Sequence, residues 1–209
     1  MQISESHCGP AVVQMLLSNL GIEVSQEAIA EAGGATDLIE MNGMRVDQLA
    51  LATHRLGSQI RFYYKDHATI DEIVEVVNDY HYPVGVEWQG LFEDETEIKA
   101  NTPISNSVVQ AGLATKSESD DNDYGHYSLV IRADRRKRIL LIADPYKDYF
   151  SQARTFSFEE FDRRWYDYNE FPDPVAGKSV LLEDDHLFFL IVRRNVKFPH
   201  RMKMKAFSF

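Results

Sequence analysis

The spacing of apolar residues changes character once along this chain, and that change limits the folds open to it. Up to about residue 90 the period is helical. Val12, Val13, Leu16, Leu17 and Leu20 form one face of a first helix, which Gly21 is placed to end. Ser25 can cap a second over Gln26 to Ala32, closed by Gly33-Gly34, while residues 35–45 read as a loop. Val46, Leu49, Ala50, Ala52 and Leu56 make a third stripe before Gly57. Thr69 can cap a fourth helix, Ile70 to Tyr80, with Asp71 and Glu72 in its first turn. Gln59 to Tyr64 and Val84 to Trp88 read as strands. Beyond residue 125 the period becomes two. His126 to Asp134 alternates, Asp134-Arg135-Arg136-Lys137 makes a polar turn, and Arg138 to Ala143 returns, which is a hairpin pattern. Ser157 can cap a short helix, Phe158 to Trp165, and His186 to Val192 reads as a buried strand. The expected class is α+β: one domain over 1–209, with a helical half over about 1–90 packed on an antiparallel sheet over about 125–195.

Composition removes several alternatives. One cysteine in 209 residues excludes an internal disulfide and multi-cysteine zinc sites, and suits a reducing cytoplasm. His7, His54, His67, His81, His186 and His200 show no HxH or HxxxH grouping, so neither metal nor cofactor is expected. No apolar run approaches the roughly 20 residues of a membrane span, and no signal peptide is visible. A net charge of −11 argues against nucleic acid as a partner. Acids crowd an insertion over about 89–124, a candidate lid, whereas the tail 193–209 is basic without a single acid. Each is either a solvated segment or a docking surface, and no feature specifies an oligomeric state.

The chemistry-bearing residues lie in separate segments. Cys8 stands just before Pro10, a residue suited to a first helical turn, so the thiol falls at a helix N-terminus where unpaired amides and the macrodipole favour an anion. A free cysteine is more often a small buried hydrophobe, so the functional reading depends on partners. A thiolate nucleophile needs an imidazole, and the imidazole needs a group that fixes its tautomer. His126 opens the first hairpin strand and Asp144 lies just past the end of the second. With a turn near 135–137, hairpin register brings these two side by side. Gln2, six residues before Cys8, can fold back beside the Cys8 N–H as a second oxyanion donor. Tyr127 beside His126 and Tyr146 after Asp144 are candidate substrate-binding residues, with Tyr149 and Phe150 nearby. Their alternative is core and sheet cover.

Together these motifs resemble the papain-like cysteine peptidases, specifically the bacteriocin-leader-processing type (cysteine peptidase family thirty-nine) and its stand-alone relatives. The matching pieces are Gln2 before His7-Cys8-Gly9-Pro10-Ala11, then Gly125-His126-Tyr127-Ser128-Leu129-Val130, then Ala143-Asp144-Pro145 and Phe158…Trp165. The resemblance implies a papain-like fold and hydrolysis of a peptide bond in a peptide or protein substrate. It also implies the roles: Gln2 oxyanion donor, Cys8 nucleophile, His126 general base and acid, Asp144 orienting carboxylate. Two other readings stand beside it. One is acyl or peptidyl transfer of the phytochelatin-synthase type, which the same four residues resemble. The other is a catalytically silent papain-like binding module.

Overall fold

The computed structural model describes residues 1–90, 125–173, 178–196 and 202–207. Most of the acidic insertion (91–124) and parts of the basic tail lie outside the described residues. Among the described residues the helices are, in chain order, α1 (Cys8–Asn19), α2 (Gln26–Gly33), α3 (Ile39–Asn42), α4 (Val46–Leu56), α5 (Ile70–Asn78) and α6 (Phe158–Arg164). The strands among the same residues are β1 (Ile60–Lys65), β2 (Val84–Gln89), β3 (Gly125–Asp134), β4 (Ile139–Ala143), β5 (Arg154–Ser157), β6 (Tyr166–Asp173), β7 (Lys178–Asp185), β8 (Phe188–Arg193) and β9 (Lys205–Ala206).

The helix starts follow local chemistry. Ser25 Oγ accepts from Ala28 N–H, and Thr69 with Glu72 forms a reciprocal capping box. Gly34, at φ 72°, ends α2 in the left-handed region open to glycine. The stretch 35–45, expected as a loop, instead contains α3. Its N-cap Leu38 makes no side-chain cap, so no capping signal marks it.

Seven strands form one antiparallel sheet in the order β5-β4-β3-β2-β8-β1-β9. Helices cover both faces. Val84, Val86, Trp88, Val130, Leu140, Ile142 and Val192 share one core with Ile73, Val76 and Val77 of α5 and with Phe158 and Phe161 of α6. Tyr127, Leu129, Phe189 and Ile191 share the other with Val12, Val13, Leu16 and Leu17 of α1 and Leu49 of α4. Strand β8 is buried on both faces, which explains its unbroken apolar run. Two differences from the expected pattern follow from strand geometry. The β3–β4 register shifts between Val130 and Arg132, so Ile131 turns out to solvent instead of continuing the alternation. Within the basic tail, Lys205–Ala206 adds a short edge strand to β1, with Phe207 against Phe62 and Tyr64.

A separate hairpin, β6–β7, lies against the ends of β2 and β3. Asn169 donates to Asp184 (2.7 Å) and Glu87 (3.4 Å), and Gln89 donates to Asp167 (2.8 Å). Burial, reinforced by the charges of Asp167 and Asp184, pushes the Glu87 carboxyl well above its usual range, so it favours its neutral form there. Gly125 marks a close approach of hairpin and sheet, because a Cβ there would collide with the Asp167 carboxylate.

Gly85 makes a second close approach: a Cβ at this position would overlap the ring of Phe189 on the neighbouring strand. The Phe189 ring is fully buried and stacks on Phe62, 4.9 Å between centroids. Gly85→Ala is therefore expected to destabilise the fold by about 1–3 kcal/mol through overpacking, read as a lower urea midpoint with unchanged slope.

Candidate active site

The site forms where the start of α1 meets the ends of β3 and β4. Cys8 is the first residue of α1, buried at 8% exposure, and α1 packs on β3. A helix-start amide has no acceptor inside the helix; His7 N–H donates to Ser4 O (3.3 Å), Ala11 N–H to His7 O (2.9 Å) and Pro10 has no N–H, so the Cys8 and Gly9 amides are the ones placed to face an anion. The segment ahead of α1 is tied down at several points. Gln2 N–H donates to Pro145 O (2.9 Å), and Ile3 N–H to Gln26 Oε1 (3.1 Å). Gln26 Nε2 donates to Met1 O (2.9 Å) and to Gln14 Oε1 (3.0 Å). Ser4 Oγ donates to Glu40 (3.1 Å) and lies 2.6 Å from His7 Nδ1, while Glu5 pairs with Lys147 at 2.7 Å. The turn that carries Cys8 is thus braced both to α2–α3 and to the segment after Asp144.

Strand β3 supplies His126, and β4 ends one residue before Asp144. Leu129 pairs with Ala143, so the two strand ends run side by side and His126 Nε2 meets Asp144 Oδ1 at 2.8 Å. That bond turns the other ring nitrogen away from Asp144. Cys8 is the other group that interacts with His126 and favours its charged form. Burial pushes the imidazolium down, but the Asp144 carboxylate and Cys8 outweigh it and raise His126 to about 9. The carboxyl of Asp144 is held below its usual range although burial alone would raise it. Oδ1 accepts from His126 and from Tyr146 N–H (3.0 Å), and Oδ2 accepts from Arg154 Nη1 (2.7 Å). Tyr146 is half-buried, with its ring edge-on to the imidazole at 6.3 Å.

Two expected residues sit otherwise than the pattern suggested. Tyr127 is buried at 4% exposure; its ring lies edge-on to Phe189 and beside Gly9, in the same core as Leu49. It packs α1 onto the sheet and presents no surface to a peptide, because alternation along β3 sends it to the face opposite His126. Gln2 is buried near the site, but its amide protons already go to Ser4 O (2.9 Å) and Glu5 O (3.1 Å).

Sequence reasoning missed Arg154. It belongs to β5, a strand of four residues with no clear alternation, and only the pairing of Ile142 with Arg154 carries it to Asp144. Nor did any signal mark the Ser4–His7–Glu40 cluster, which depends on the unforeseen α3. Among the described residues, no group of three or more His, Cys, Asp or Glu side chains is arranged to hold a metal ion. Among the same residues, no helix is long and apolar enough to cross a membrane.

Comparison with known proteins agrees with this architecture. The peptidase domain of Streptococcus ComA, described as a bi-functional ABC transporter involved in a quorum sensing pathway, is similar at a TM-score of 0.52 and 18% identity. The match covers 91% of this chain and 93% of that domain and shows the shared fold: N-terminal helices and a large antiparallel sheet. No curated protein matches. The model of the Peptidase_C39 like family matches residues 1–171, so all the residues gathered around Cys8 fall inside it, and the chain belongs to that family.

Proposed function

We propose that this protein is a cysteine peptidase in which Cys8, His126 and Asp144 act as nucleophile, general acid–base and orienting carboxylate. The observation that carries the reading is His126 held between Asp144 and Cys8 at the start of α1, two partners that outweigh its burial and favour the imidazolium. Membership of a peptidase family and the fold shared with a peptidase domain support it.

The geometry gives each step a physical agent. Proton transfer from Cys8 to His126 makes a thiolate–imidazolium pair, and the thiolate attacks the carbonyl carbon of a peptide bond. The carbonyl π electrons move to oxygen, and the oxyanion faces the helix-start amides, including that of Cys8. As the C–N bond breaks, His126 gives its proton to the leaving amine, leaving a thioester on Cys8. Water then attacks the thioester while His126 takes its proton. The acid is released, and the proton returns to the pair. Gln2 can join as a second donor by exchanging one of its bonds to Ser4 O or Glu5 O for the oxyanion. Tyr146, edge-on to the imidazole, shields the His126–Asp144 bond from water and borders the route of the substrate.

The pair can be tested without knowing the substrate, because there is a single thiol. The profile of Cys8 alkylation by iodoacetamide against pH is expected to depend on His126, with the rate at neutral pH falling about tenfold or more in His126→Ala. Identical profiles in the two proteins would overturn the reading and leave the binding-module alternative. Loss of the imidazolium removes the proton needed by the leaving amine. Peptide hydrolysis is therefore expected to be sustained below pH 9 and to fall as pH rises through about 9. Adding amine nucleophiles and analysing the products separates hydrolysis from acyl transfer.

For Gln2→Ala, the expected loss is about 10²-fold in kcat with KM little changed, since the donor acts on charge that develops only in the transition state. A variant with wild-type kcat would remove Gln2 from the mechanism.

A further inference from the structure

The far side of Asp144 holds a group that the mechanism above does not use. Arg154 Nη1 donates to Asp144 Oδ2 at 2.7 Å, on the oxygen that His126 leaves free. The carboxylate is fully buried and the arginine side chain is only 13% exposed, so solvent screens this pair weakly. Aromatic rings surround the guanidinium. Its central carbon stands 4.0 Å from the Tyr149 centroid, 4.9 Å from Phe156 and 5.9 Å from Trp88. Tyr149 comes from the turn after Asp144, Phe156 from β5 and Trp88 from β2, opposite His126 in the sheet. A cation in such a cage is fixed in position as well as charge.

We propose that Arg154 is a positioning residue of the Cys8–His126–Asp144 set, one that fixes the plane of Asp144 and sets the pH range in which the thiolate–imidazolium pair exists. This rests on the peptidase reading. Two consequences of the geometry can be separated. Oδ2 without a donor would be a buried, unpaired carboxylate oxygen, free to rotate away from His126 or to bind a proton. Independently, a fixed positive charge beside the site lowers the proton affinity of every member. It makes the thiolate and carboxylate easier to form and the imidazolium easier to lose. Removing the charge must therefore move the acid limb and the alkaline limb in the same direction, toward higher pH.

The other charged and titratable groups near this site, among the described residues, keep their identity in the Arg154 variants. They are Glu5 and His7 ahead of α1, Tyr146, Lys147 and Tyr149 after Asp144, and Asp167 against Gly125. Glu87 lies behind Tyr127, opposite it in the sheet, and β2 otherwise contributes the neutral Trp88. These groups act equally in wild type and variants, so a shared displacement of both limbs reports the lost guanidinium.

The test is the rate of Cys8 alkylation by iodoacetate between pH 4 and 10, with a thermal melt of each variant. Iodoacetate is an anion, and its approach is favoured while His126 is charged, so the rate is bell-shaped for a working pair. Arg154→Met and Arg154→Gln, both neutral, are expected to shift the whole bell upward by about half a unit to one unit. Arg154→Lys keeps the charge but not the planar fork. It is expected to leave the limbs in place while lowering the plateau several-fold. Limbs that stay put in the neutral variants, or that close in on one another, overturn the proposal. So does a wild-type plateau in Arg154→Lys, which decides the matter if neither neutral variant folds. A wild-type protein with no bell, unchanged by His126→Ala, overturns the peptidase reading and this inference with it. A wild-type bell that only the Arg154 variants leave untouched overturns this inference alone.

Discussion

The antiparallel pairing of β3 with β2 on one side and β4 on the other is the constraint on which the rest of the structure depends. Pairing with β4 places Leu129 beside Ala143 and so delivers Asp144 to His126. Pairing with β2 sets Trp88 across from His126 and Glu87 across from Tyr127. Alternation along β3 then divides the labour: Val130 lies in the core with α5 and α6, His126 stands at that core's edge beside Trp88, and Tyr127 and Leu129 hold α1. A slip of one residue would send His126 to the other face and leave Cys8 without its imidazole. Fold and site are thus specified by the same ladder.

Burying Asp144 removes it from water, and a carboxylate there is tolerated only if its lone pairs are engaged. Three donors meet it: His126, the Tyr146 N–H and Arg154. Glu87, across from Tyr127 in the sheet, has no cationic partner among the described residues and is instead driven toward its neutral form by burial and by two neighbouring acids. Two carboxyl groups at similar depth, only a few residues of ladder apart, are therefore pushed in opposite directions by their surroundings. That contrast singles out Asp144 as the acid built to stay ionised beside an imidazole.

Much of this was legible in the amino-acid pattern, for reasons that are local. Ser25 and the Thr69–Glu72 capping box mark helix starts through contacts made within three residues. The hairpin over 125–143 was readable because alternation and a polar turn fix its register, and that register implied the meeting of His126 with Asp144. What escaped depends on contacts distant in sequence. Arg154 reaches Asp144 only through a four-residue strand, and α3 has no side-chain cap to announce it. Tyr127 next to His126 looked available to a substrate, but period-two geometry sends adjacent residues to opposite faces and buries it against Gly9. The carbonyls that hold the Gln2 amide belong to Ser4 and Glu5, in a turn whose shape no periodicity specifies.

The central claim is that His126 carries a proton on both nitrogens because it lies between Asp144 and Cys8. The most direct measurement is the 15N NMR spectrum of the His126 imidazole at pH 7.5, assigned by comparison with His126→Ala. The account predicts two protonated, pyrrole-type nitrogens at this pH, with the ring titrating near 9. In Cys8→Ala the titration should move to lower pH, because one of the groups holding the proton is gone. A neutral tautomer at pH 7.5, with one unprotonated nitrogen and no response to the loss of Cys8, would contradict it.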